Sequence, residues 1–80
     1  MSRLTVLYFA SLRDAAGRDA ETLDTQAADL RAVYDGLRER YGFALPAQRL
    51  RVAVDGAFAQ WDEAPREGSE VAFIPPVSGG

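Results

Sequence analysis

The sequence contains no cysteine, no histidine and no lysine among its 80 residues. Without cysteine it cannot form a disulfide, a thiolate nucleophile or a zinc ribbon. Without histidine it lacks the side chain that most often serves as a general base near neutral pH. Without lysine it can form no Schiff base and has no phosphate-loop lysine. The chain is therefore predicted to bind a partner or to be acted upon, and not to be an enzyme on its own.

Long apolar runs and an excess of positive charge are also missing. No apolar run approaches the length of roughly 18 residues that a membrane span needs, and the first residues do not resemble a signal peptide. Nine arginines against twelve acidic residues give a net charge of −3, which argues against nucleic acid as the main partner. The apolar share of 48% is typical of a soluble globular domain. We therefore expect one cytoplasmic domain over residues 1–74, with no membrane partner.

The first third of the chain predicts two strands and a short helical turn. Residues 4–10 are rich in β-branched and aromatic side chains, as in a buried strand. Residues 11–16 favour a helical turn that Gly17 ends. Residues 20–24 are short and polar, which is typical of an edge strand.

The middle of the chain predicts the main helix. Between residues 27 and 41, apolar side chains recur every three or four positions, with charged side chains opposite them. Asp24 or Thr25 is the expected N-terminal cap, and Gly42 is suited to the position just past the helix end.

The last third predicts a hairpin and a final strand. Residues 50–54 and 57–61 are separated by Asp55-Gly56, a tight-turn signal. Residues 70–74 form the last strand, which the following prolines end. We expect that strand to lie parallel to the first. The fold class is then α+β: a β-grasp, ubiquitin-like mixed sheet of four to five strands with one main helix on one face.

Strand alternation divides the apolar side chains between two faces. The side chains expected to face the helix are Val6, Tyr8, Val52, Val54, Val71 and Phe73. Leu7, Phe9, Phe58 and Ile74 then share the other face. Such a patch marks a partner surface, with Phe9, Phe58 and Ile74 as its anchors; the alternative is a second small core that loops cover.

The ending predicts a reactive terminus. The tail, residues 75–80, consists of Pro75, Pro76, Val77, Ser78, Gly79 and Gly80. Two prolines favour a stiff, extended exit, and two glycines without Cβ atoms can thread a narrow channel. The tail carries no charged side chain, so a carboxylate at Gly80 would be its only charge. The alternative is an inert frayed end.

Three segments carry a family resemblance. Residues 68–80, with the Pro-Pro-Val-Ser-Gly-Gly ending, resemble the carboxyl end of molybdopterin synthase small subunits, which are ubiquitin-like sulfur carriers. Residues 6–14 resemble that family's first strand and turn, and residues 51–56 its central hairpin. Asp55 and Ser69 depart from the usual family residues in turns, and the absence of lysine removes any lysine contact with a partner.

The resemblance implies a function for Gly80. An activating enzyme would use ATP and magnesium to adenylate its carboxylate, and a sulfur donor protein would convert it to a thiocarboxylate. Residues 75–79 would thread the active site of the large synthase subunit, where the sulfur reaches cyclic pyranopterin monophosphate; a heterotetramer is the expected assembly. No permanently bound cofactor and no metal are implied. The thiamine-pathway sulfur carrier, a protein-conjugating modifier and a plain binding module stay as alternatives.

Other candidate sites are weaker. Paired carboxylates at Asp62 with Glu63, and at Glu67 with Glu70, are interpreted as solvated surface rather than acid–base or cation sites. Arg49 and Arg51 are expected to face water on a strand edge, although a partner's acidic groups could pair with them. Trp61 is expected at the core or its rim.

Overall fold

Helices cover one face of a five-stranded mixed sheet in the computed structural model, which describes residues 1–76. The elements in chain order are β1 (Ser2–Tyr8), α1 (Ala10–Ala16), β2 (Ala20–Thr25), α2 (Leu30–Tyr41), a 3-10 helix (Ala47–Arg49), β3 (Arg51–Val54), β4 (Ala57–Ala59) and β5 (Glu70–Ile74). The strand order is β2-β1-β5-β3-β4. In this part of the chain, neither helix has the length and apolar character needed to cross a membrane.

The first and last strands lie side by side in the middle of the sheet. They run parallel, with Thr5 opposite Glu70 and Tyr8 opposite Phe73. All other strand pairs are antiparallel. This arrangement confirms the predicted β-grasp fold, and it brings the end of β5 to the same sheet edge as the end of β1.

The covered face of the sheet forms the core with α2. It consists of Leu4, Val6, Tyr8, Val52, Val71 and Phe73, all buried. Tyr34 of α2 lies at the centre of this core, 5.1 Å from the ring of Phe73 and 5.8 Å from that of Phe43. The ring of Trp61 stacks on that of Phe73, with the ring centres 5.9 Å apart. Trp61 is half-buried at the rim of the core, as predicted.

The main helix begins later than predicted. Leu30 is its first residue, and Asp29 caps it by accepting a 2.8 Å hydrogen bond from the backbone N–H of Ala32. Thr25 instead accepts from the N–H of Ala27 and closes a turn before the helix. The predicted start at residue 27 and the cap at Asp24 or Thr25 were therefore wrong, because the apolar spacing continues into this turn, where Ala27 still packs on the core.

The ends of two strands and the place of Arg49 also differ from the prediction. The first strand ends at Tyr8, because Ala10 adopts a left-handed backbone (φ 51°) and starts α1. The returning strand β4 ends at Ala59, because the backbone N–H of Gln60 donates a 2.7 Å hydrogen bond to Glu63 Oε2 instead of continuing the strand. Arg49 lies in the 3-10 helix rather than on a strand.

The hairpin between β3 and β4 has the predicted two-residue turn. Asp55 and Gly56 both have positive φ, at 51° and 86°. This pair of left-handed residues gives the turn the twist that joins two adjacent antiparallel strands. The Asp55 carboxylate also accepts a 2.9 Å bond from the N–H of Glu70, which fastens the turn to β5.

Candidate partner-binding face and tail root

The sheet face opposite α2 carries exposed apolar side chains. This open face consists of Leu7, Phe9, Ala53, Phe58, Ala72 and Ile74. Phe58 is 68% exposed and Phe9 43% exposed. Within residues 1–76 no loop buries them, so the alternative of a second small core is wrong. The three predicted anchors thus share one accessible face, and their role in binding stays a prediction.

Small residues at the centre of the open face make it concave. Ala53 and Ala72 are opposite each other on β3 and β5, and Phe58 is opposite Ala53 on β4. The larger side chains of Leu7, Phe58 and Ile74 stand around these alanines and leave a groove of about 280 Å³. An apolar groove of this kind is suited to receive side chains of a protein partner.

The tail leaves the sheet from the edge of this face. Its root, which we define as Ile74, Pro75 and Pro76, begins at the last ladder position of β5. Proline has no N–H to donate, so the ladder ends there. Two surface grooves flank the root: Phe9, Ala10, Ser11 and Leu45 line one, and Gln48, Arg49, Leu50 and Arg51 line the other. The predicted tail residues Val77, Ser78, Gly79 and Gly80 lie outside the described residues.

The open face is electrically polarised along its length. Arg51, opposite Ile74 in the β3–β5 register, lies 5.4 Å above the ring of Phe58. At the other end are Glu70 and Asp55, the latter 4.0 Å from Arg66. The sequence interpretation had placed Arg51 at a strand edge, whereas β3 is an inner strand. Its place on the open face follows from strand alternation, because Arg51 is two residues from Ala53 on β3.

Comparison with known proteins establishes the family. The ThiS family model matches residues 6–80. The chain belongs to the ThiS family. Two curated relatives are molybdopterin synthase sulfur carrier subunits: the Haemophilus influenzae protein is 36% identical over 80 residues (96% of this chain, 99% of the relative), and the Escherichia coli protein is 37% identical over 84 residues (96% and 99%). The resemblance to molybdopterin synthase small subunits is thereby confirmed.

One solved structure with the same fold is that of a protein that is not named as a sulfur carrier. SAMP1, a small archaeal modifier protein from Haloferax volcanii, superposes with a TM-score of 0.80 at 27% identity, covering 99% of this chain and 100% of that one. The ThiS-family fold therefore recurs in a protein named as a modifier.

The weaker acidic candidates of this ThiS-family chain lie on the surface, as predicted. Asp62, Glu63, Glu67 and Glu70 are all exposed. Glu67 accepts a 2.9 Å bond from the backbone N–H of Arg3, and Glu63 closes the turn after β4. Among residues 1–76, no group of three or more acidic side chains is arranged to hold a metal ion.

A polar cluster at the edge of the covered face escaped the sequence interpretation. The Glu21 side chain is only 6% exposed, and one of its oxygens accepts from the hydroxyls of Tyr8 at 2.5 Å and Tyr41 at 2.6 Å. Arg18 and Arg40 lie 3.6 Å and 4.0 Å from its other oxygen. The cluster joins β1, β2 and the end of α2. Strand periodicity gave no signal for it, because a single glutamate on a polar edge strand is usually solvated.

Charges, burial and hydrogen bonds in this cluster shift the pKa values of Glu21 and Tyr8. Burial alone would raise the pKa of Glu21, but the hydrogen bonds from Tyr41 and Tyr8, with the nearby arginines, outweigh it and hold that pKa below its ordinary value. The pKa of Tyr8 lies far above the usual range for tyrosine. Burial is the largest cause, and the hydrogen bond to Glu21 is the next largest. The cluster is thus a carboxylate that accepts hydrogen bonds from two phenols and ties β1 and β2 to the end of α2.

Proposed function

We propose that this chain is the sulfur carrier subunit of a molybdopterin synthase and that it acts in the cytoplasm. The observation that carries the proposal is the position of the tail root: β5 ends at Ile74 beside an exposed apolar face, and two prolines direct the chain onward. A partner that covers the open face also receives the tail. The names of the curated relatives support the same function.

The first chemical step activates Gly80. A carboxylate is a poor electrophile, because neither oxygen is a leaving group. An ATP-dependent activating enzyme with magnesium would form the acyl-adenylate of Gly80 and release pyrophosphate. Hydrosulfide delivered by a sulfur donor protein then attacks the acyl carbon and displaces AMP, and the terminus becomes a thiocarboxylate. The carrier contributes the acyl carbon, while both partners contribute the acid–base groups that its side chains lack.

The second step transfers the sulfur. The loaded carrier docks on the large synthase subunit, and its thiocarboxylate sulfur attacks a carbon of cyclic pyranopterin monophosphate. A C–S bond forms there while a C–O bond of the same carbon breaks, and the oxygen leaves as the phosphate ester oxygen or, after protonation, as water. Hydrolysis of the resulting acyl link leaves the sulfur on the pterin and restores the Gly80 carboxylate. Two such transfers give the dithiolene of molybdopterin. In this proposal the sulfur travels on the backbone terminus, which is consistent with a chain that has no cysteine.

The open face supplies the docking surface for the large subunit in this proposal. Phe58 and Phe9 offer exposed aromatic area, and aromatic side chains often dominate interface energetics. Ile74 continues the same surface into the tail root. Residues 75–79 would then extend from the interface into the partner, over roughly 15–20 Å if the chain is extended.

Reconstitution tests the proposal. The full chain, the activating enzyme, ATP, magnesium, a sulfide source, the large subunit and cyclic pyranopterin monophosphate should together give molybdopterin. Deletion of Gly80 should abolish product, because the remaining terminus is one residue too short for the activating and transfer sites. Gly36→Ala, a change in the distant α2 helix, is the matched control and should keep full activity. Product formation by the Gly80 deletion would contradict the proposal.

A protein modifier is the second candidate function. The likeness to SAMP1, at 27% identity over nearly the whole chain, favours it. A modifier would leave its acyl group on amines of other proteins as isopeptide bonds. Covalent adducts of this chain on cellular proteins, together with a failed reconstitution, would favour that function; a successful reconstitution without adducts would exclude it. Reconstitution would also separate the chain from a thiamine-pathway carrier.

A further inference from the structure

Two exposed arginines beside the tail root have no carboxylate partner within residues 1–76. In that range Arg49 and Arg51 form no ion pair. Guanidinium groups are suited to bind a carboxylate, because their planar N–H groups can donate two parallel hydrogen bonds to its oxygens. The arginines that do lie within 4.0 Å of a carboxylate are Arg3, Arg13, Arg18, Arg40 and Arg66.

Both unpaired arginines line a groove that the tail root also lines. The groove has a volume of about 300 Å³ and includes Pro75 and Pro76. Arg51 is opposite Ile74 in the β3–β5 register, so its strand position is only about 5 Å from the last residue of β5. The Arg51 guanidinium lies 5.4 Å from the ring centre of Phe58, which supports it from one side. The positive charge is therefore placed beside the point where the tail begins.

The tail brings an anion of its own to this place. Residues 77–80 lie outside the described residues, and their sequence, Val-Ser-Gly-Gly, has no charged side chain. The carboxylate that the proposed function requires at Gly80 is then the only charge beyond Pro76. Four residues reach at most roughly 13 Å, and Gly79 and Gly80 tolerate the backbone conformations of a turn. Such a short tether keeps a carboxylate at a millimolar local concentration around the root.

Charge distinguishes between the two grooves that flank the root. The second groove is lined by Phe9, Ala10, Ser11 and Leu45, together with the root itself, and none of these side chains is charged. A carboxylate there would lose water without gaining a counter-charge. The far end of the open face carries Asp55 and Glu70, which repel an anion. The groove with the two arginines is thus the complementary place for the terminus.

We propose that Arg49 and Arg51 form a carboxylate site whose ligand is the chain's own terminus at Gly80, with residues 77–80 lying in this groove before a partner binds. This inference rests on the proposed function, which needs a free carboxylate at Gly80. The site holds the loaded carrier as well, because a thiocarboxylate is also an anion at neutral pH. A partner that receives the tail has to withdraw it from the groove first, so the contact lowers the fraction of chains ready to be threaded.

Removal of the terminal charge alone tests the site. Nuclear magnetic resonance spectra of the full chain are compared with those of the same chain amidated at Gly80, at low ionic strength and mildly acidic pH, where the carboxyl group is still ionised. The side-chain Nε–H resonances of Arg49 and Arg51 should shift on amidation. The resonance of Arg31, an exposed arginine on α2, should not. The amide groups of Gly79 and Gly80 should be more restricted in the acid form, as measured by the heteronuclear Overhauser effect.

Neutral arginine replacements give the matched comparison. Arg49→Gln with Arg51→Gln should lower the ratio of closed to open tail about fivefold, because exposed ion pairs are weak. The Gly79 and Gly80 amides should then behave as in the amidated chain, whereas Arg31→Gln should leave them unchanged. High salt should have the same effect as the double replacement.

Three results would overturn the site. Arg49 and Arg51 resonances that are identical in the acid and the amidated chain would show that the carboxylate does not reach them. Glycine amides that are equally restricted in both forms would show that the tail is held without its charge. Resonance shifts that grow with protein concentration would assign the contact to a second copy of the chain. Amidation still decides if the double replacement unfolds the protein, since it leaves the sequence unchanged. Sulfur loading is measured separately by intact mass, so failure of this site and failure of the proposed function are distinguishable.

Discussion

The two faces of the sheet differ in what their side chains do. On the covered face Leu4, Val6, Val71 and Phe73 are fully buried, at 0% exposure. On the open face Phe58 is 68% exposed. Both faces are built from the same strands, because alternate residues of β1, β3 and β5 point in opposite directions. One face therefore holds this small domain together, while the other leaves large apolar side chains in water, where we propose that a partner covers them.

Truncation of the covered face should have the largest effect on stability. Phe73 is fully buried and contacts the rings of Tyr34 and Trp61. Phe73→Ala should lower the free energy of unfolding by about 3–5 kcal/mol, because it removes buried apolar area and leaves a cavity. That is a large part of the stability of a small domain. Urea unfolding followed by circular dichroism measures it.

The control for that prediction is the same truncation on the open face. Phe58→Ala should change the free energy of unfolding by less than about 1 kcal/mol, since most of that ring is already in water. Equal losses from the two variants would break the comparison between the faces.

A charge on the open face should affect binding instead of folding. Phe58→Asp should weaken binding to the large synthase subunit about 100-fold, as expected when an aromatic anchor is lost and a carboxylate is desolvated, while the unfolding transition stays close to that of the unchanged chain. Co-purification and calorimetry measure the binding. Gln26→Asp, at an exposed position away from this face, is the matched control. Unimpaired binding of Phe58→Asp would remove this residue from the interface.

Low pH should reduce the stability of the fold through Glu21, which lies at the edge of the covered face. Its pKa is lower in the folded chain than in the unfolded one, so its contribution is fully present above the ordinary glutamate pKa of about 4.5 and is lost as the pH falls through the folded value. Glu21→Gln should lower the free energy of unfolding by about 1–2 kcal/mol at neutral pH, because two charge-assisted bonds become neutral ones.

The pH dependence separates this charge effect from simple loss of packing. Urea unfolding from pH 7 to about pH 3 should show a shallower decline on acidification for Glu21→Gln than for the unchanged chain. Parallel curves would mean that ionised Glu21 does not stabilise the fold.

The smallest expected effect comes from the solvent side of α2. Gly36 lies in the interior of the helix, and a Cβ added there would meet nothing within 4 Å. Gly36→Ala should raise the free energy of unfolding by about 0.5–1 kcal/mol, because alanine restricts the unfolded chain and fits the helical backbone. Thermal unfolding measures the gain. A loss of stability would show that this side of the helix is more constrained than its exposure indicates.

The distinction between the two faces could be predicted from the sequence, whereas several boundaries could not. Side chains of a strand point alternately to its two faces, so along residues 4–8 and 70–74 Val6 and Phe73 were assigned to the core and Ile74 to the opposite face. The start of α2 was misplaced, because Ala27 fits the helical spacing but lies in a turn. The choice of Asp29 as the cap depends on the turn at residues 25–28, which periodicity does not describe.

The charged parts of the site were harder to predict than its apolar parts. Phe9 and Phe58 were found because large apolar side chains fall on a face that no second element covers. The position of Arg51 above Phe58 depends on the pairing of β3 with both β4 and β5, since the order of strands in a sheet decides which of them are inner. Glu21 meets Tyr41 only because α2 crosses the edge of the sheet near β2. Neither contact can be recognised from residues that are close together in the sequence.

The proposed function depends on covalent chemistry at Gly80. The most direct measurement is the intact mass of the full chain after incubation with the activating enzyme, ATP, magnesium and a sulfide source. We predict a gain equal to the difference between one sulfur and one oxygen atom, located at the terminal residue by fragmentation and absent without ATP. An unchanged mass under conditions in which the enzyme loads its usual carrier would contradict the central claim.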